Sequence, residues 1–334
     1  MLEVQDVSSY FFPILKGYDI PVKNAELREK VQGFWRGEVV WDAPLADFST
    51  MKVGGLAAAL VIPSCIEDLS VIVAGAQKSG VSWRVIGRGS NILVPDEGFA
   101  GLVIVLGRDF SEIKVREEFS GQVRIRVESG CSLARLLNWC MEMELSGLEF
   151  TVGIPGSVGG SVVMNAGAWG HEIKEFVASV TWLDNDGQLV SAESNSIDFS
   201  YRQWGESRDK IVVMVDFLLF KRDRREIEAQ CRELTRKRKE RQPQAVASVG
   251  SFFKNPPRQA AGKLIEDAGL KGCRVGGAIV SEVHANFIVN TGGATAGDVL
   301  ELMRIIQDKV WKKYGVRLEP EVHILNNDMP LKDK

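Results

Sequence analysis

Paired cysteines, clustered histidines and other marks of a metal or disulfide framework are missing from this sequence of 334 residues. No CxxC pair and no metal-ligand spacing occurs among its five cysteines, which are Cys65, Cys131, Cys140, Cys231 and Cys273. The three histidines are far apart in sequence and fit no metal-binding pattern. Because neither residue type has the spacing of metal ligands, we expect no metal site. An odd, scattered set of cysteines is typical of reduced thiols in a cytoplasmic protein.

Long apolar runs and an excess of one charge are also missing. The longest apolar run, Leu56–Ile62, is far shorter than the roughly 20 residues that a membrane span needs. Met1–Tyr10 has no basic stretch before an apolar run, which argues against a signal peptide. The net charge is −3, whereas a dedicated nucleic-acid-binding protein usually carries a strong basic excess. We therefore expect a cytoplasmic protein with no membrane or nucleic-acid partner.

Glycine, by contrast, is abundant, with 33 residues. The clearest clusters are the GRGSN segment Gly87–Asn91 and the longer stretch Gly153–Gly167. Backbone N–H groups in such turns can converge on a phosphate, because no side chain blocks the approach. Two loops of this kind suit a diphosphate that joins two halves of a cofactor, although glycines that only permit tight turns would give the same pattern. Neither loop is a Rossmann fingerprint, and no GxxxxGKS/T motif occurs.

Hydrophobic periodicity predicts strands throughout the chain. Short apolar or alternating runs mark the predicted strands, which are Leu56–Ile62, Trp83–Ile86, Leu102–Leu106, Val123–Val127, Ser179–Asp184, Leu189–Ser191, Val212–Phe220, His284–Asn290 and Leu318–Leu325. The strand Trp83–Ile86 runs directly into the first glycine cluster. The end of a strand is an ordinary place for a ligand-binding loop.

Helices are predicted between these strands. Ser64 and Glu67 form a capping-box pattern, and four apolar residues follow at helical spacing: Leu69, Ile72, Val73 and Ala76. Further helices are predicted to begin at Ser132 and to run from about Asp298 to Tyr314. The highly charged stretch Asp223–Arg241 is predicted to be a solvated helix at a domain boundary.

Polar and charged residues in apolar surroundings are the candidates for chemistry. In the segment GSFFKNP, Ser251 could place a hydroxyl near a bound ring, and Lys254 and Asn255 could meet phosphate or carbonyl groups. The alternative is a buried strand with a polar end. Arg202 and Glu321 stand among hydrophobic neighbours, and a buried charge is costly unless it is paired. Each of them is therefore either functional, part of a structural ion pair or turned towards solvent.

Taken together, the motifs resemble those of the UDP-N-acetylenolpyruvoylglucosamine reductases. GRGSNILV, GIPGSVGGSVVMNAGAWG, FSYR, GSFFKNP, AGKLIEDAGLKG, HANFIVN and LEPEVHIL occur in the order found in that family, from about Ser49 to Leu325. The forms of HANFIVN and GSFFKNP look like the branch that lacks an extra substrate-capping loop with its tyrosine. The sequence departs from the family pattern at Arg88, where a small residue is more usual, and the first forty or so residues match no motif.

The resemblance implies an α+β fold. It comprises an FAD-binding domain of the vanillyl-alcohol-oxidase (PCMH) type, in two α+β subdomains, and a C-terminal α+β substrate-binding domain. The first subdomain is expected to span residues 1–88 and 318–334, and the second residues 89–222. The substrate-binding domain is expected to span residues 223–317.

The resemblance also implies an activity in bacterial peptidoglycan synthesis. NADPH would reduce a non-covalent FAD, and the flavin would reduce UDP-N-acetylglucosamine enolpyruvate to UDP-N-acetylmuramate. Hydride from flavin N5 would add to the terminal alkene carbon, and Arg202 and Glu321 would stabilise the charge that develops. Ser251 matches the position of the family's proton donor. NADPH and the sugar nucleotide are expected to use one site in turn, and the protein is expected to be a monomer.

The family motifs assign further residues to the two ligands. Those expected to bind the cofactor are Gly87, Gly89, Ser90, Asn91, Gly153, Ile154, Gly156, Ser157, Gly159, Gly160, Asn165, Ala166 and Gly167. Those expected to bind the substrate are Lys254, Asn255, Lys263 and His284.

Two other functions are compatible with parts of the sequence. An oxidoreductase of the same fold could oxidise an alcohol and hold its flavin covalently through His171, which follows the second glycine cluster. Alternatively, the basic stretch within Asp223–Arg241 could bind nucleic acid, although no aromatic residue interleaves it.

Overall fold

The computed structural model describes residues 25–31, 33, 36–205 and 210–326. The helices are α1 (Ala25–Val31), α2 (Ile66–Lys78), α3 (Leu133–Glu142), α4 (Val158–Val163), α5 (Arg224–Arg241), α6 (Ala261–Asp267) and α7 (Ala296–Tyr314). The prediction for Met1–Tyr10, and the two outer ends of the predicted first subdomain, lie outside the described residues.

The strands of the first half of the chain are β1 (Glu38–Pro44), β2 (Leu56–Ile62), β3 (Trp83–Ile86), β4 (Ile92–Leu93), β5 (Phe99–Val105), β6 (Ile113–Phe119), β7 (Gln122–Glu128), β8 (Leu145–Ser146), β9 (Gly167–Ala168) and β10 (His171–Glu172). Those of the second half are β11 (Val177–Leu183), β12 (Leu189–Glu193), β13 (Phe199–Ser200), β14 (Gln203–Trp204), β15 (Ile211–Lys221), β16 (Ala247–Ser251), β17 (Arg274–Val275), β18 (Ala278–Val280), β19 (Phe287–Asn290) and β20 (His323–Ile324).

The first sheet has the strand order β1-β2-β5-β3. Strands β2, β5 and β3 are parallel, and β1 is antiparallel to β2. All of β2 after its first residue is buried, as expected for a strand covered on both faces. The four predicted apolar residues of α2 are buried, but the predicted capping box is wrong. Cys65 caps the helix instead, so that Glu67 lies one position too early to complete the box.

The second sheet is antiparallel, with the strand order β12-β11-β15-β7-β6 and with β8 paired to β15. In β7 the buried residues alternate with half-buried ones, which is the period-two pattern of a strand with one face on the core. Helix α3 begins after Ser132, as predicted, and the Ser132 hydroxyl accepts a hydrogen bond from the Arg135 N–H. The core on this face of the sheet also contains Ile227 and Cys231 of α5.

The third sheet is antiparallel, with the order β16-β19-β18-β17, and it packs against α6 and α7. A capping box of Thr295 and Asp298 begins α7, and Gly315 in the left-handed conformation ends it. The prediction of a strand over Leu318–Leu325 is wrong in extent, because only His323–Ile324 forms one. Pro320 lacks the N–H that a regular ladder requires, and the residues around it pair with the segment 252–254 instead.

The three sheets are joined by shared cores rather than by a linker. Met51, Val53 and Leu93 are buried in the same apolar cluster as α7 and the third sheet. The predicted domain boundaries remain predictions, and α5, placed by them in the substrate-binding domain, packs on the second sheet. Among the described residues, none of the helices combines the length and the apolar character needed to cross a membrane. No cluster of three or more metal-binding side chains occurs in this part of the chain either.

Candidate active site

The two glycine clusters, far apart in sequence, lie against each other in the structure. Gly87 sits so close to Ser157 that a Cβ at position 87 would collide with the Ser157 hydroxyl oxygen. A Cβ at Gly156 would lie 4.0 Å from the Ser90 hydroxyl oxygen, an ordinary contact distance. Gly89 has a φ of 62° and lies against the Phe48 carbonyl, so this position needs glycine for both reasons. The loops thus form one continuous surface.

The second loop begins the short helix α4, and much of its polar backbone is paired within the protein. The N–H groups of Val158 and Gly159 donate to the carbonyls of Cys131 and Ser129, at 2.8 and 2.9 Å. The Gly160 N–H donates to the Ser157 hydroxyl at 3.3 Å. A ligand at this loop therefore meets small side chains and a closely packed backbone more than free N–H groups. The roles of these residues in cofactor binding stay predictions.

Asn165 is fully buried and is committed to the structure of the second loop. Its amide nitrogen donates to the Glu172 carboxylate and to the Ser200 carbonyl, both at 3.0 Å. Its amide oxygen accepts the Lys174 N–H at 3.3 Å. These bonds tie the end of the loop to the β13–β14 hairpin, which carries Arg202. Asn165 can therefore fix the shape of the site even if its side chain never touches a ligand.

Several buried polar atoms along the second loop have no hydrogen-bond partner among the described residues. They include the Ser129 hydroxyl, the indole nitrogen of Trp169 and Nε of Arg238. Ser129 lies directly against Gly159, and the Arg238 side chain lies against Gly153. Buried polar groups are nearly always satisfied in native proteins. This surface of glycines and orphaned polar atoms therefore fits a large, polar bound group such as FAD.

Arg202 and Glu321 lie against each other beside the second loop. Arg202 Nε lies 2.9 Å from Glu321 Oε1, and both side chains are largely buried. The Nε–H does not point well enough at this oxygen for a hydrogen bond, whereas Nη2 donates to the Gly167 carbonyl at 3.0 Å. Burial raises the pKa of Glu321 above its ordinary value, and the positive charges of Arg202 and Lys254 offset only part of this effect.

Ser251 reaches the same place through backbone pairing. The Glu321 N–H donates to the Phe252 carbonyl and the Lys254 N–H to the Glu319 carbonyl, each at 2.9 Å. These two bonds hold the end of β16 alongside the chain that carries Glu321. The structure thus brings the three predicted catalytic residues, Arg202, Ser251 and Glu321, into one region. Their catalytic roles stay predictions.

The first glycine loop contacts the same region through Asn91. The Asn91 amide donates to the Glu321 carbonyl at 3.1 Å, and the Asn91 carbonyl accepts the His323 N–H at 3.1 Å. The parallel pairing of β20 with β4 continues this contact. A residue predicted to bind the cofactor therefore also holds the backbone of a predicted catalytic residue.

The four predicted substrate-binding residues have different surroundings. Lys254 lies close enough to Glu321 to lower that carboxyl's pKa, and its amine is 3.9 Å from Glu319. Asn255 accepts the Ala261 N–H at 2.9 Å, and so helps to begin α6. The other two residues contact different parts of the protein. Lys263 forms a salt bridge with Asp267 on the exposed side of α6, and His284 packs on the Phe287 ring. Their contact with substrate stays a prediction.

Trp169, Arg238 and Arg241 were not predicted from the sequence. The guanidinium carbons of both arginines lie 5.9 Å from the Trp169 ring. Burial lowers the pKa of Arg238, with no neighbouring acid to compensate. The signal in the sequence was the position of two basic residues three apart at the end of a charged helix. It was hidden because most other cations of α5 pair with its own glutamates, as Arg224 does with Glu228.

His171, the residue considered for covalent flavin attachment, has partners of its own. Its Nδ1 is 2.8 Å from a carboxylate oxygen of Glu175, on the protein surface. The ring lies beside Phe150 and Phe176, with centroids 6.0 and 6.3 Å away. These contacts give His171 a structural role at the start of strand β10.

The fold and the site define the class of this protein as an FAD-binding oxidoreductase. A family model described as an FAD binding domain matches residues 57–193. A second model, the C-terminal domain of UDP-N-acetylenolpyruvoylglucosamine reductase, matches residues 242–325.

Known proteins that resemble the chain along most of its length narrow this class. The UDP-N-acetylenolpyruvoylglucosamine reductase of Syntrophus aciditrophicus is 39% identical over 302 residues, which cover 90% of this chain and 96% of that protein. That of Bacillus subtilis is 41% identical, with 87% and 95% covered. The crystal structure of the reductase (MurB) from Thermus caldophilus is 38% identical with a TM-score of 0.73, and the match covers 88% of this chain and 100% of that one.

The chain therefore belongs to the UDP-N-acetylenolpyruvoylglucosamine reductase family. The predicted fold class, α+β with an FAD-binding domain, is confirmed.

Proposed function

We propose that this enzyme uses NADPH and bound FAD to reduce UDP-N-acetylglucosamine enolpyruvate to UDP-N-acetylmuramate. The observation that carries the proposal is the buried Arg202–Glu321 pair, fixed between the two glycine loops. An electrophilic pair at this place is what reduction of an alkene next to a carboxylate requires. Five free cysteines also support a reducing, cytoplasmic location.

The cofactor would lie along the surface formed by the two glycine loops. Among the described residues, Ser129 and Trp169 each have a buried donor without a partner there. When bound, FAD would supply hydride to the terminal alkene carbon of the substrate and take it from NADPH. Because each must present its carbon to the same position, NADPH and the sugar nucleotide would occupy the site in turn.

Arg202 and Glu321 would stabilise the charge that develops on the substrate. Hydride addition to the terminal alkene carbon leaves negative charge on the carbon next to the carboxylate, and this charge spreads into an enediolate. Arg202 offers fixed positive charge to these oxygens, in a site where little water screens it. Glu321 would serve as a hydrogen-bond donor in its protonated form, which burial favours by raising its pKa.

Ser251 would deliver the proton that completes the reaction. The new C–H bond forms at the carbon next to the carboxylate as the Ser251 O–H bond breaks. A serine hydroxyl is a weak acid, so the proton must be replaced quickly through water or a neighbouring group. The pairing of β16 with the Glu321 segment holds the hydroxyl close to the stabilising groups.

Cations around this centre would hold the phosphates of the ligands. Arg238 and Arg241 lie together on Trp169, at the edge of the second loop, and Lys254 lies near Glu321. Guanidinium groups bind phosphate with paired hydrogen bonds, and two cations on one ring attract an anion to this edge of the loop. The nucleotide diphosphate of the substrate supplies such an anion.

The test is to measure the two half-reactions separately, without oxygen, for the wild type and Ser251→Ala. We expect NADPH to bleach the variant flavin at nearly the wild-type rate, because no proton donor to substrate carbon is needed. Reoxidation by UDP-N-acetylglucosamine enolpyruvate should slow by about 10²- to 10⁴-fold, the usual contribution of a general acid. Ser251→Cys, which keeps a transferable proton, is the matched control and should recover part of the rate.

Equal slowing of both half-reactions in Ser251→Ala would remove Ser251 from the role of proton donor. A wild-type enzyme that NADPH reduces but that the sugar nucleotide does not reoxidise would disprove the proposed function as a whole.

A further inference from the structure

Thr50 is the point where the first glycine loop meets the strand that carries Ser251. Its backbone N–H donates to the Gly89 carbonyl at 3.0 Å. Its hydroxyl is 2.7 Å from the Ser248 carbonyl and 3.3 Å from the Gly89 carbonyl. A hydroxyl has one proton to donate, and the shorter distance assigns it to Ser248. One half-buried side chain thus joins the first glycine loop to a strand whose Ser248 is 198 residues from Thr50 in sequence.

The following residues anchor Thr50 to the third sheet. The Met51 carbonyl accepts a hydrogen bond from the Asn290 amide of β19 at 3.0 Å. Met51 and Val53 are buried in the core of that sheet. On the other side, Gly89 is so close to Phe48 and Ser49 that no side chain fits. The segment around Thr50 is therefore held from both sides.

The Ser248 carbonyl lies close to the point where strand β16 leaves its regular pairing, just before Ser251. Strand β16 lies at the edge of the third sheet, where backbone groups on the outer side have no neighbouring strand. Its regular pairing with β19 includes Ser248 and then shifts register before Ser251. Gly250, with a φ of 79°, lies inside this irregularity. The direction of the Ser251 side chain thus depends on where β16 leaves the regular ladder, and Thr50 binds at that point.

We propose that Thr50 is a positioning residue for proton transfer, through its hydroxyl bond to the Ser248 carbonyl. It aligns Ser251 with a substrate bound against the cofactor, because the same residue holds the first glycine loop through its N–H. The inference rests on the proposed function of Ser251 as proton donor. It assigns Thr50 no contact with substrate.

The experiment compares Thr50→Val with Thr50→Ser in the FAD-loaded enzyme. Valine keeps the shape and the backbone N–H but loses the hydroxyl, whereas serine keeps the hydroxyl. We expect Thr50→Val to slow reoxidation by the sugar nucleotide by between about 10- and 100-fold, the cost of a small misplacement of a reacting group. Reduction by NADPH should change by less than about twofold, since hydride transfer to the flavin does not use Ser251. Thr50→Ser should return reoxidation to within about threefold of wild type, because the hydroxyl is restored.

The solvent deuterium isotope effect on reoxidation gives a readout that a purely structural role would not alter. It should rise in Thr50→Val, because delivery of the proton becomes slower relative to the other steps. Thr291→Val is the matched control: it removes a similar hydroxyl bond, from Thr291 to the Gly277 carbonyl at 2.9 Å, elsewhere in the same sheet. It should leave both half-reactions unchanged.

Three results would overturn the inference. They are wild-type reoxidation in Thr50→Val, equal slowing of both half-reactions, and failure of serine to restore the rate. If valine prevents folding, Thr50→Ala removes the hydroxyl without placing a methyl group against the Ser248 carbonyl, and the same criteria apply. The failure of the proposed function is distinguishable, because the wild type itself would then not be reoxidised by the sugar nucleotide.

Discussion

Glu321 takes its properties from neighbours that lie far away in sequence. Its backbone is held by Phe252 on one side and by the Asn91 amide on the other. Its carboxyl group is largely buried, and the nearby cations Arg202 and Lys254 do not fully compensate for the lost water. The result is a carboxyl group that stays protonated at a higher pH than usual. A protonated carboxyl group can donate a hydrogen bond to a developing enediolate, and an ionised one cannot.

The pH dependence of reoxidation should follow this carboxyl group. Burial raises the folded-state pKa of Glu321 above the ordinary value for a glutamate. The protonated form, which is the form proposed to act, is therefore complete below the ordinary value and is lost as the pH rises through the raised pKa. Above the raised pKa, the single-turnover reoxidation rate should therefore fall as the pH rises, by up to about tenfold per pH unit. This part of the pH–rate profile is its falling limb. Proton binding by Glu321 also stabilises the folded protein at low pH, and this stabilisation is lost as the pH rises through the raised pKa.

Glu321→Gln tests the assignment, because glutamine does not titrate. The limb should flatten in this variant, even though the rate itself is lower. Glu319→Gln is the control: this carboxyl group is on the same segment but is largely exposed, and its removal should leave the shape of the profile intact. A limb that persists in Glu321→Gln would mean that another group titrates there.

At this scale the sequence singled out two residues that meet in the structure, and it did so for a limited physical reason. Arg202 and Glu321 stood out as charges among apolar neighbours, and the structure shows them as partners of each other. Their approach depends on a hairpin turn in which Arg202 itself has a φ of 58°, a conformation that no pattern of residue types reveals. Trp169 and Arg238 were missed because a tryptophan beside glycines and an arginine in a charged helix are both common.

Helix α7 shows how an element of the C-terminal half of the chain is attached to the N-terminal half, which carries the first glycine loop. The Asp96 carboxylate accepts the N–H groups of Ala296 and Gly297, both at 2.8 Å. These are the first two residues of the helix, where N–H groups have no partner within the helix. The carboxylate also opposes the positive end of the helix dipole. Asp96 follows β4 and the first glycine loop, so this contact spans both halves.

Asp96→Ala should therefore lower the free energy of unfolding by about 1–2 kcal/mol, the usual cost of losing a helix cap together with its charge. Asp96→Asn keeps an oxygen acceptor and should lose less. Asp308→Ala, on an exposed face of the same helix, is the control and should change stability by less than about 0.5 kcal/mol. Urea unfolding of all three variants provides the measurement, and similar losses for Asp96→Ala and Asp308→Ala would contradict the argument.

The elements themselves were predictable to different degrees. β2 and β3 have the predicted bounds, because each is a short apolar run with a clear stop. α7 extends only two residues beyond its predicted start. Two predictions were wrong for local reasons. Cys65 caps α2 in place of Ser64, and Pro320 interrupts the predicted last strand. In both cases the outcome depends on contacts of single backbone groups, which periodicity does not describe.

At the scale of the whole molecule, the residues of the candidate active site meet only because three sheets are packed together. The first glycine loop follows the first sheet, the second loop covers the second sheet, and Ser251 ends a strand of the third. Their meeting could not be predicted from the residues themselves, because nothing in one loop encodes its distance from another. It was expected only from the resemblance to a family. The contact between Gly87 and Ser157 is where this arrangement is easiest to test.

Gly87→Ala should weaken FAD binding by disturbing the contact between the two loops. The backbone at Gly87 is not in the left-handed region, so alanine is not excluded by φ, but its Cβ would collide with the Ser157 hydroxyl. Overpacking of this kind costs about 1–3 kcal/mol, which corresponds to a loss of FAD affinity of roughly fivefold to 150-fold if the whole cost falls on the bound state. Fluorescence titration of the apoprotein with FAD measures it. Gly33→Ala, where a Cβ meets nothing within 4 Å, is the control.

The decisive comparison is the double variant Gly87→Ala/Ser157→Ala. Ser157→Ala by itself removes the cap of α4 and should cost about 1 kcal/mol of stability. It also removes the oxygen that the new Cβ would strike, while the Ser157 Cβ is at an ordinary 3.5 Å. FAD affinity should therefore be higher in the double variant than in Gly87→Ala. Such coupling is expected only of residues in contact. Strictly additive losses would show that the two loops act on the cofactor independently.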